Sequence, residues 1–509
     1  MKKFIFASVS AAALLAAGAA MADSNNSTVN QPGSTNTATV NQSGGSYSDS
    51  LVQQNGDKNT ATVTQSGATS SIGDNNSKVL QDGDKGKATV TQTRSQALFI
   101  PAVGTGDSNT SDINQTASSD SAEATVTQTG ELNDSKVTQT GSASKAAVSQ
   151  TGIYHHSVVN QNANNGDVTV TQIGTPSTGA PGVGMGDNKS VVNQYAGADG
   201  STVVVKQDST GTNGYPSNDS LIDQYAPGSL ADVDQKGDNN ISTVTQNGAA
   251  GGDVFVKQDG TDNLSDVDQN GALGDRNKVD VAQYGKSQDS DVDQVGEGLT
   301  AKVVQKTLNN TSVVDQNATN SSAYVTQIGW DNKSTVVQTN TGNTATVVQG
   351  SESPSGAEDN ARSNISTINQ FGANGAVTVL QGEDGYYSEN YSNYSNVQQG
   401  GQSNEASVEQ KNHENSSYIR QNVGYTAGLT DNFAKVKQTG DFNDSYINQG
   451  DVDAQAKGNS ADVFQWGSYN LSTINQEGDN NTAKVEQGTN SNVSLINQPG
   501  DGNTATVTQ

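Results

Sequence analysis

The stretch Asn25-Asn26-Ser27-Thr28-Val29-Asn30-Gln31-Pro32-Gly33-Ser34-Thr35-Asn36-Thr37-Ala38-Thr39-Val40-Asn41-Gln42 holds two copies of one seven-residue pattern joined by four residues. Counting back from Gln31 in steps of two gives Val29, Ser27 and Asn25, and from Gln42 it gives Val40, Ala38 and Asn36. Strict alternation is the period of a β-strand, so these residues share one face while Thr37, Thr39 and Asn41 lie on the other. A helix would scatter the same residues around its axis. The glycine of the four-residue link is expected to supply the backbone angles of a tight reversal.

The pattern continues through Asn59 and Gln65 and reaches the last residue, in strands ending at Gln476, Gln487, Gln498 and Gln509 and opening with Asn470, Asn481, Asn492 and Asn503. Four residues before each glutamine stands Ser in odd-numbered strands (Ser27, Ser50, Ser77) and Ala or Val in even-numbered ones (Ala38, Ala61, Ala88). Two strands therefore make one unit of about 22 residues, repeated 19 times over 38 strands. A unit of that size buries too little apolar surface to offset roughly 1 to 2 kcal/mol of backbone entropy per residue. Stacking identical units removes the deficit, because each strand then pairs with its counterparts above and below.

The fold read from this spacing is all-β: an amyloid-like, two-sheet parallel β-solenoid of 19 strand-turn-strand rungs, with odd strands in one sheet and even strands in the other. At 4.8 Å per rung the stack is roughly 90 Å long. The structural ladder comprises Asn25, Gln31, Asn36, Gln42, Asn59, Gln65, Asn470, Gln476, Asn481, Gln487, Asn492, Gln498, Asn503 and Gln509, whose amides are expected to bond to their own kind along the stack. A slip of one strand would set Ser where Ala belongs, so the alternation fixes the register. Insertions respect the scheme: the gaps Gln92 to Gln115, Gln172 to Gln194 and Gln349 to Gln370 roughly double, yet the alternation resumes without a skipped strand. Most follow an even strand; those between Gln421 and Gln438 and between Gln449 and Gln465 lie at the other edge.

Composition narrows the function classes. Only 31% of residues are hydrophobic, which without the periodicity would suggest disorder. A formal net charge of −27 argues against nucleic acid or an anionic membrane surface as a partner. There is no cysteine, hence no disulfide or thiolate chemistry. Residues 1–22 pair a basic start (Lys2, Lys3) with an apolar run and the small-x-small sequence Ala20-Met21-Ala22, the pattern of a secretory signal peptide. The mature chain, 23–509, is then one repeat domain with loop insertions and no membrane-inserted segment. Strands start two residues after the expected cleavage site and run to Gln509, so both ends of the stack are expected to lack the polar cap that soluble solenoids need.

The run Asn25-x-Ser27-x-Val29-x-Gln31-x-Gly33-x-x-Asn36-x-Ala38-x-Val40-x-Gln42 resembles the curlin repeat of curli subunits, and the resemblance spans residues 25–509. It implies a secreted structural amyloid subunit that polymerises with itself into extracellular fibres of biofilm matrix and adhesion on a Gram-negative cell. The implied partners are other copies of the chain, a nucleator subunit and an outer-membrane export pore. The glycine-rich targeting segment typical of the family has no counterpart between Ala22 and Asn25, and Asn stands at Asn25, Asn133 and Asn470 where the family often has Ser.

Other readings carry less. Outward threonine pairs such as Thr60 with Thr62 and Thr504 with Thr506 suit an ice-binding or monomeric surface solenoid, but Leu230 with Asp232 and Asp253 with Phe255 interrupt the array, and β-propensity accounts for the threonines. Aspartates such as Asp232, Asp234, Asp266, Asp268, Asp291 and Asp293 are read as outward charges that slow aggregation rather than Ca²⁺ ligands. Gly182-x-Gly184-x-Gly186 has no helix to follow it. The three histidines, His155, His156 and His413, assemble no triad or metal site. No catalytic residue, metal or cofactor is expected, and the chain is read as a non-enzyme.

Overall fold

The computed structural model describes residues 25–44, 47–67, 75–94, 109–174, 188–209, 218–248, 251–271, 276–350, 362–382, 392–423, 430–450 and 456–509. The expected signal peptide, 1–22, and the glycine run at 182–186 lie outside them. The described residues form 38 strands, from β1 (Asn26–Asn30) and β2 (Thr37–Ser43) to β37 (Val493–Gln498) and β38 (Thr504–Thr508). Among the described residues no helix is long and apolar enough to cross a membrane.

Every pairing is parallel and joins strands two apart in the chain. Odd strands stack only on odd strands and even only on even, as in Ser27 opposite Ser50 and Ala38 opposite Ala61. The same residue-for-residue register holds across the long insertions, where Ser77 faces Ser111 and Val168 faces Val203. Each sheet is an open stack whose edge strands are β1 and β37 in one and β2 and β38 in the other. This is the two-sheet parallel β-solenoid that the spacing predicts.

Burial alternates with the sequence. In the strand Thr60–Ser66, Ala61, Val63 and Gln65 are buried while the residues between them are exposed or half-buried. The inward valines, isoleucines and alanines of all rungs form one continuous core between the sheets. On the outer faces, cations meet carboxylates of neighbouring rungs, as in Lys206–Asp234 and Lys236–Asp259, both 3.8 Å. Aromatic rings stack along the rung axis at Tyr195–Tyr225 (4.1 Å) and Tyr418–Tyr446 (4.9 Å).

The corners differ from the expectation. In short turns such as 32–35 and 55–58 the left-handed residue is not glycine but the fourth residue after the glutamine: Thr35 (φ 56°), Lys58 (φ 60°), Lys85 (φ 60°). Glycine is needed for a different reason. A Cβ on Gly33 would stand 2.0 Å from the Gly56 carbonyl oxygen, and one on Gly56 would stand 2.1 Å from that of Gly83. Successive corners nest too closely for any side chain. Several middle rungs also run past the glutamine into nine-residue strands, as in Leu230–Asp238 paired with Asp253–Thr261, where Gly237 is both left-handed and in contact with Gly260.

Candidate functional site: the inward amide columns and the end rungs

A glutamine side chain is long enough to span the gap between rungs, and the alternation turns all of them inward at the two edges of the core. In the odd sheet each glutamine Nε2 donates to the Oε1 of the next, from Gln31 to Gln498 without a break. The even sheet carries the same chain of bonds from Gln42 to Gln509. The donor is always the residue earlier in the sequence. Backbone fixes this orientation: Gln65 Nε2 also donates to Asp49 O and Asn75 O, both 3.0 Å, which only an amide nitrogen can satisfy. Each glutamine thus bonds along the stack and closes the core toward the opposite sheet.

The asparagines make the expected amide-to-amide bonds in part of the odd sheet and elsewhere bond to backbone. Asn36 accepts the Asn59 N–H at Oδ1 (2.8 Å) and donates from Nδ2 to the Gly56 carbonyl (2.7 Å). Asn59 does the same to Gly86 N–H and Gly83 O, both 2.7 Å. The asparagine therefore brackets the next corner at the glycine that must nest there. Asn25 accepts Ser48 N–H; Asn470 accepts Asn492 N–H, and Asn481 accepts Asn503 N–H. At the last rung Asn492 and Asn503 turn their Nδ2 to their own turns, on Thr489 O and Gly500 O. Direct Asn–Asn bonds do occur in the odd sheet, as Asn240 to Asn218 at 2.9 Å. In the even sheet the column is interrupted by residues such as Gly86, Ala122, Ser144 and Leu299.

Two features of the interior were not read from the sequence. The odd-strand serines from Ser50 to Ser494 are buried with hydroxyls that meet no hydrogen-bond partner among the described residues. His155 occupies an asparagine slot, fully buried, with Nε2 against Thr151 O (3.1 Å), Nδ1 without a partner among the described residues, and the ring laid over Gly152 and Gly174. Burial pulls its pKa from 6.5 down to about 4, against the smaller upward effect of the Thr151 carbonyl. Its position six residues before Gln161 was the available signal.

The outer face of the odd sheet gathers Asp266, Asp268, Asp289, Asp291, Asp293 and Asp315 on three successive strands. Partial burial and then neighbouring carboxylates raise the pKa of Asp266, Asp291 and Asp293, that of Asp293 to about 6, and burial alone raises that of Asp289. Among the described residues no group of three or more His, Asp or Glu is set to hold a metal ion.

The two end rungs expose what the others bury. Val29 is 46% exposed, and Ala38, Val40, Ala505 and Val507 are only partly covered, so each end shows a cross-section of the core. Gln31 and Gln42 spend their Nε2 on the next rung, and their Oε1 meets no donor among the described residues. At the other end Gln498 and Gln509 accept from Gln476 and Gln487 and give one N–H to Thr482 O and Val493 O respectively.

No curated protein was found to match the chain. A family model for the curlin associated repeat matches it at residues 119–152, 274–306, 457–488 and 479–509, in the first, middle and last thirds of the stack. At these stretches the chain carries the curlin associated repeat, and in this respect it is similar to the curlin-repeat family.

Proposed function

We propose that the chain is a secreted, non-enzymatic amyloid subunit of the curli type, which adds end to end into extracellular fibres of biofilm matrix and adhesion on a Gram-negative cell. The observation that carries this reading is the state of the end rungs. Among the described residues two amide columns run from Gln31 and Gln42 to Gln498 and Gln509, and these glutamines keep bonding capacity beside partly exposed core residues and strand edges with no partner strand. Free edges of this kind template the addition of further strands. The high negative charge keeps unfolded chains apart before they meet such a template. A nucleator subunit and an outer-membrane pore are the partners this route requires.

Electron microscopy of the purified mature chain, 23–509, tests the proposal. Unbranched filaments that grow from added seeds are the expected result. Rods that stay monomeric at any concentration would reject it in favour of a solitary surface or ice-binding solenoid.

A further inference from the structure

At the corner that follows the odd strands, a step in side-chain size opens a cleft of about 310 Å³ on the side of the stack. The residue just past each odd-strand glutamine keeps the rung register through its backbone. Asn162 N–H donates to Gln194 O and Tyr195 N–H to Gln224 O, so Asn162, Tyr195 and Tyr225 stand in one column. The two tyrosine rings are parallel to within 4°, with centroids 4.1 Å apart, and Tyr225 thereby covers one face of Tyr195. On the other side the column drops to Asn162, and the uncovered face of the Tyr195 ring becomes a wall of the cleft. Thr138, Asn160 and Asn193, in-register partners on successive strands, line it from the adjacent outward column.

We propose that this cleft binds one pyranose ring of a neutral polysaccharide, stacked on Tyr195 and hydrogen-bonded at its rim by Asn160 and Asn162. The site lies within one molecule, so it stands whether or not copies join into fibres. Asn160 Nδ2 donates to Asn193 Oδ1 (2.8 Å) and Asn193 Nδ2 to Asp223 Oδ1 (2.7 Å), a relay that fixes both amides in one orientation. It leaves Asn160 Oδ1 without a donor among the described residues. Asn162 Oδ1 accepts from Thr140 Oγ1, and its Nδ2 has no bond among the described residues. The cleft therefore sets a neutral acceptor and a neutral donor around an aromatic face. A sugar ring is the complement: its C–H face suits the negative face of the tyrosine, and its hydroxyls both donate and accept. The Tyr195 hydroxyl also keeps its proton, its pKa pushed up to about 12 chiefly by the Tyr225 hydroxyl, with burial and Asp223 adding to the effect. Asp223 and the net charge of −27 disfavour anionic polymers. One ring face falls short of the aromatic cage that captures a quaternary ammonium. The volume is at the low end of the roughly 300 to 1,000 Å³ of ligand clefts, which suits a single sugar ring and leaves the rest of the polymer to continue along the outer face.

An array of neutral, anionic and cationic polysaccharides probed with the mature chain, 23–509, tests the site. The unsubstituted chain should bind at least one neutral glycan. Tyr195→Ala should weaken that binding at least about tenfold, whereas Tyr195→Phe, which keeps the ring face, should change it by less than about threefold. Tyr446→Ala removes a stacked outward ring that does not line the cleft and should leave binding unchanged. Far-UV circular dichroism checks that each variant folds. Should Tyr195→Ala not fold, Asn162→Tyr decides the matter: it lays a third ring on the free face of Tyr195, fills the cleft, and should abolish binding with a urea midpoint no lower than that of the unsubstituted chain. Equal binding by Tyr195→Ala, binding retained by Asn162→Tyr, binding confined to anionic or cationic glycans, or no neutral glycan bound at all would each overturn the proposal and leave the fibre reading untouched.

Discussion

The glutamine column and the serine column of the odd sheet lie side by side and are both buried, yet every glutamine is bonded along the stack and the serines from Ser50 to Ser494 have no partner for their hydroxyls among the described residues. The difference is reach. Rungs repeat at about 4.8 Å, a gap that a carboxamide on a two-carbon stem bridges and a hydroxyl on one carbon does not. Polarity in the interior is therefore stabilising only where its geometry matches the repeat. The serines leave room in a narrow core and mark the odd sheet, while the glutamines hold rung to rung.

Four changes break or sharpen that contrast. The largest effect is expected at Gln246, which receives from Gln224 and donates to Gln269, Leu230 O and Gly252 O. Gln246→Leu strands several buried groups at once and should lower stability by about 4 kcal/mol, read as a shift of the urea midpoint. His155, an asparagine-slot residue with one ring nitrogen unbonded, is next. Its folded pKa of about 4 lies below the 6.5 of the unfolded chain, so only the unfolded state takes up a proton as pH falls from 6.5 toward 4. Over that window the protein should lose up to about 3 kcal/mol, a loss absent in His155→Asn and complete below pH 4.

A smaller effect of opposite sign tests the serines. Ser242 lies four residues before Gln246 in the same strand, and Ser242→Ala should raise stability by about 1 kcal/mol by removing an unpartnered hydroxyl. A marked loss would show that the hydroxyl is bonded after all. The smallest change concerns the acidic outer face, where Asp293 has its pKa raised to about 6 by partial burial and by Asp291, Asp268, Asp315 and Asp266. A raised carboxylate opposes folding above its unfolded pKa, so Asp293→Asn should stabilise at pH 7 by well under about 1 kcal/mol after solvent screening, and the gain should vanish as pH falls through 6 toward 4. Comparing unfolding midpoints at pH 7 and pH 4 separates this trend from that of His155.

Strand positions, the inward face, the sorting of odd and even strands into two sheets and the register across insertions were all legible, because a period of two combined with a period of eleven leaves one way to wind the chain. What escaped the sequence depends on distances between rungs rather than on order along the chain. Gly33 is glycine because a Cβ there would stand 2.0 Å from Gly56 O, a clash with the following unit and not a property of its own turn. Asn36 bonds to the backbone of the next corner, at Gly56 O and Asn59 N–H, instead of to the Asn59 side chain for the same reason. His155 could be placed in its slot by counting, but the packing of Gly152 and Gly174 against its ring depends on how the corners nest in space.

Fibre diffraction from aligned filaments of the mature chain bears most directly on the whole account. In-register parallel rungs stacked along the fibre axis predict a strong meridional reflection at 4.7–4.8 Å. Filaments lacking that reflection, or showing it on the equator, would contradict a stack held rung to rung by its glutamines.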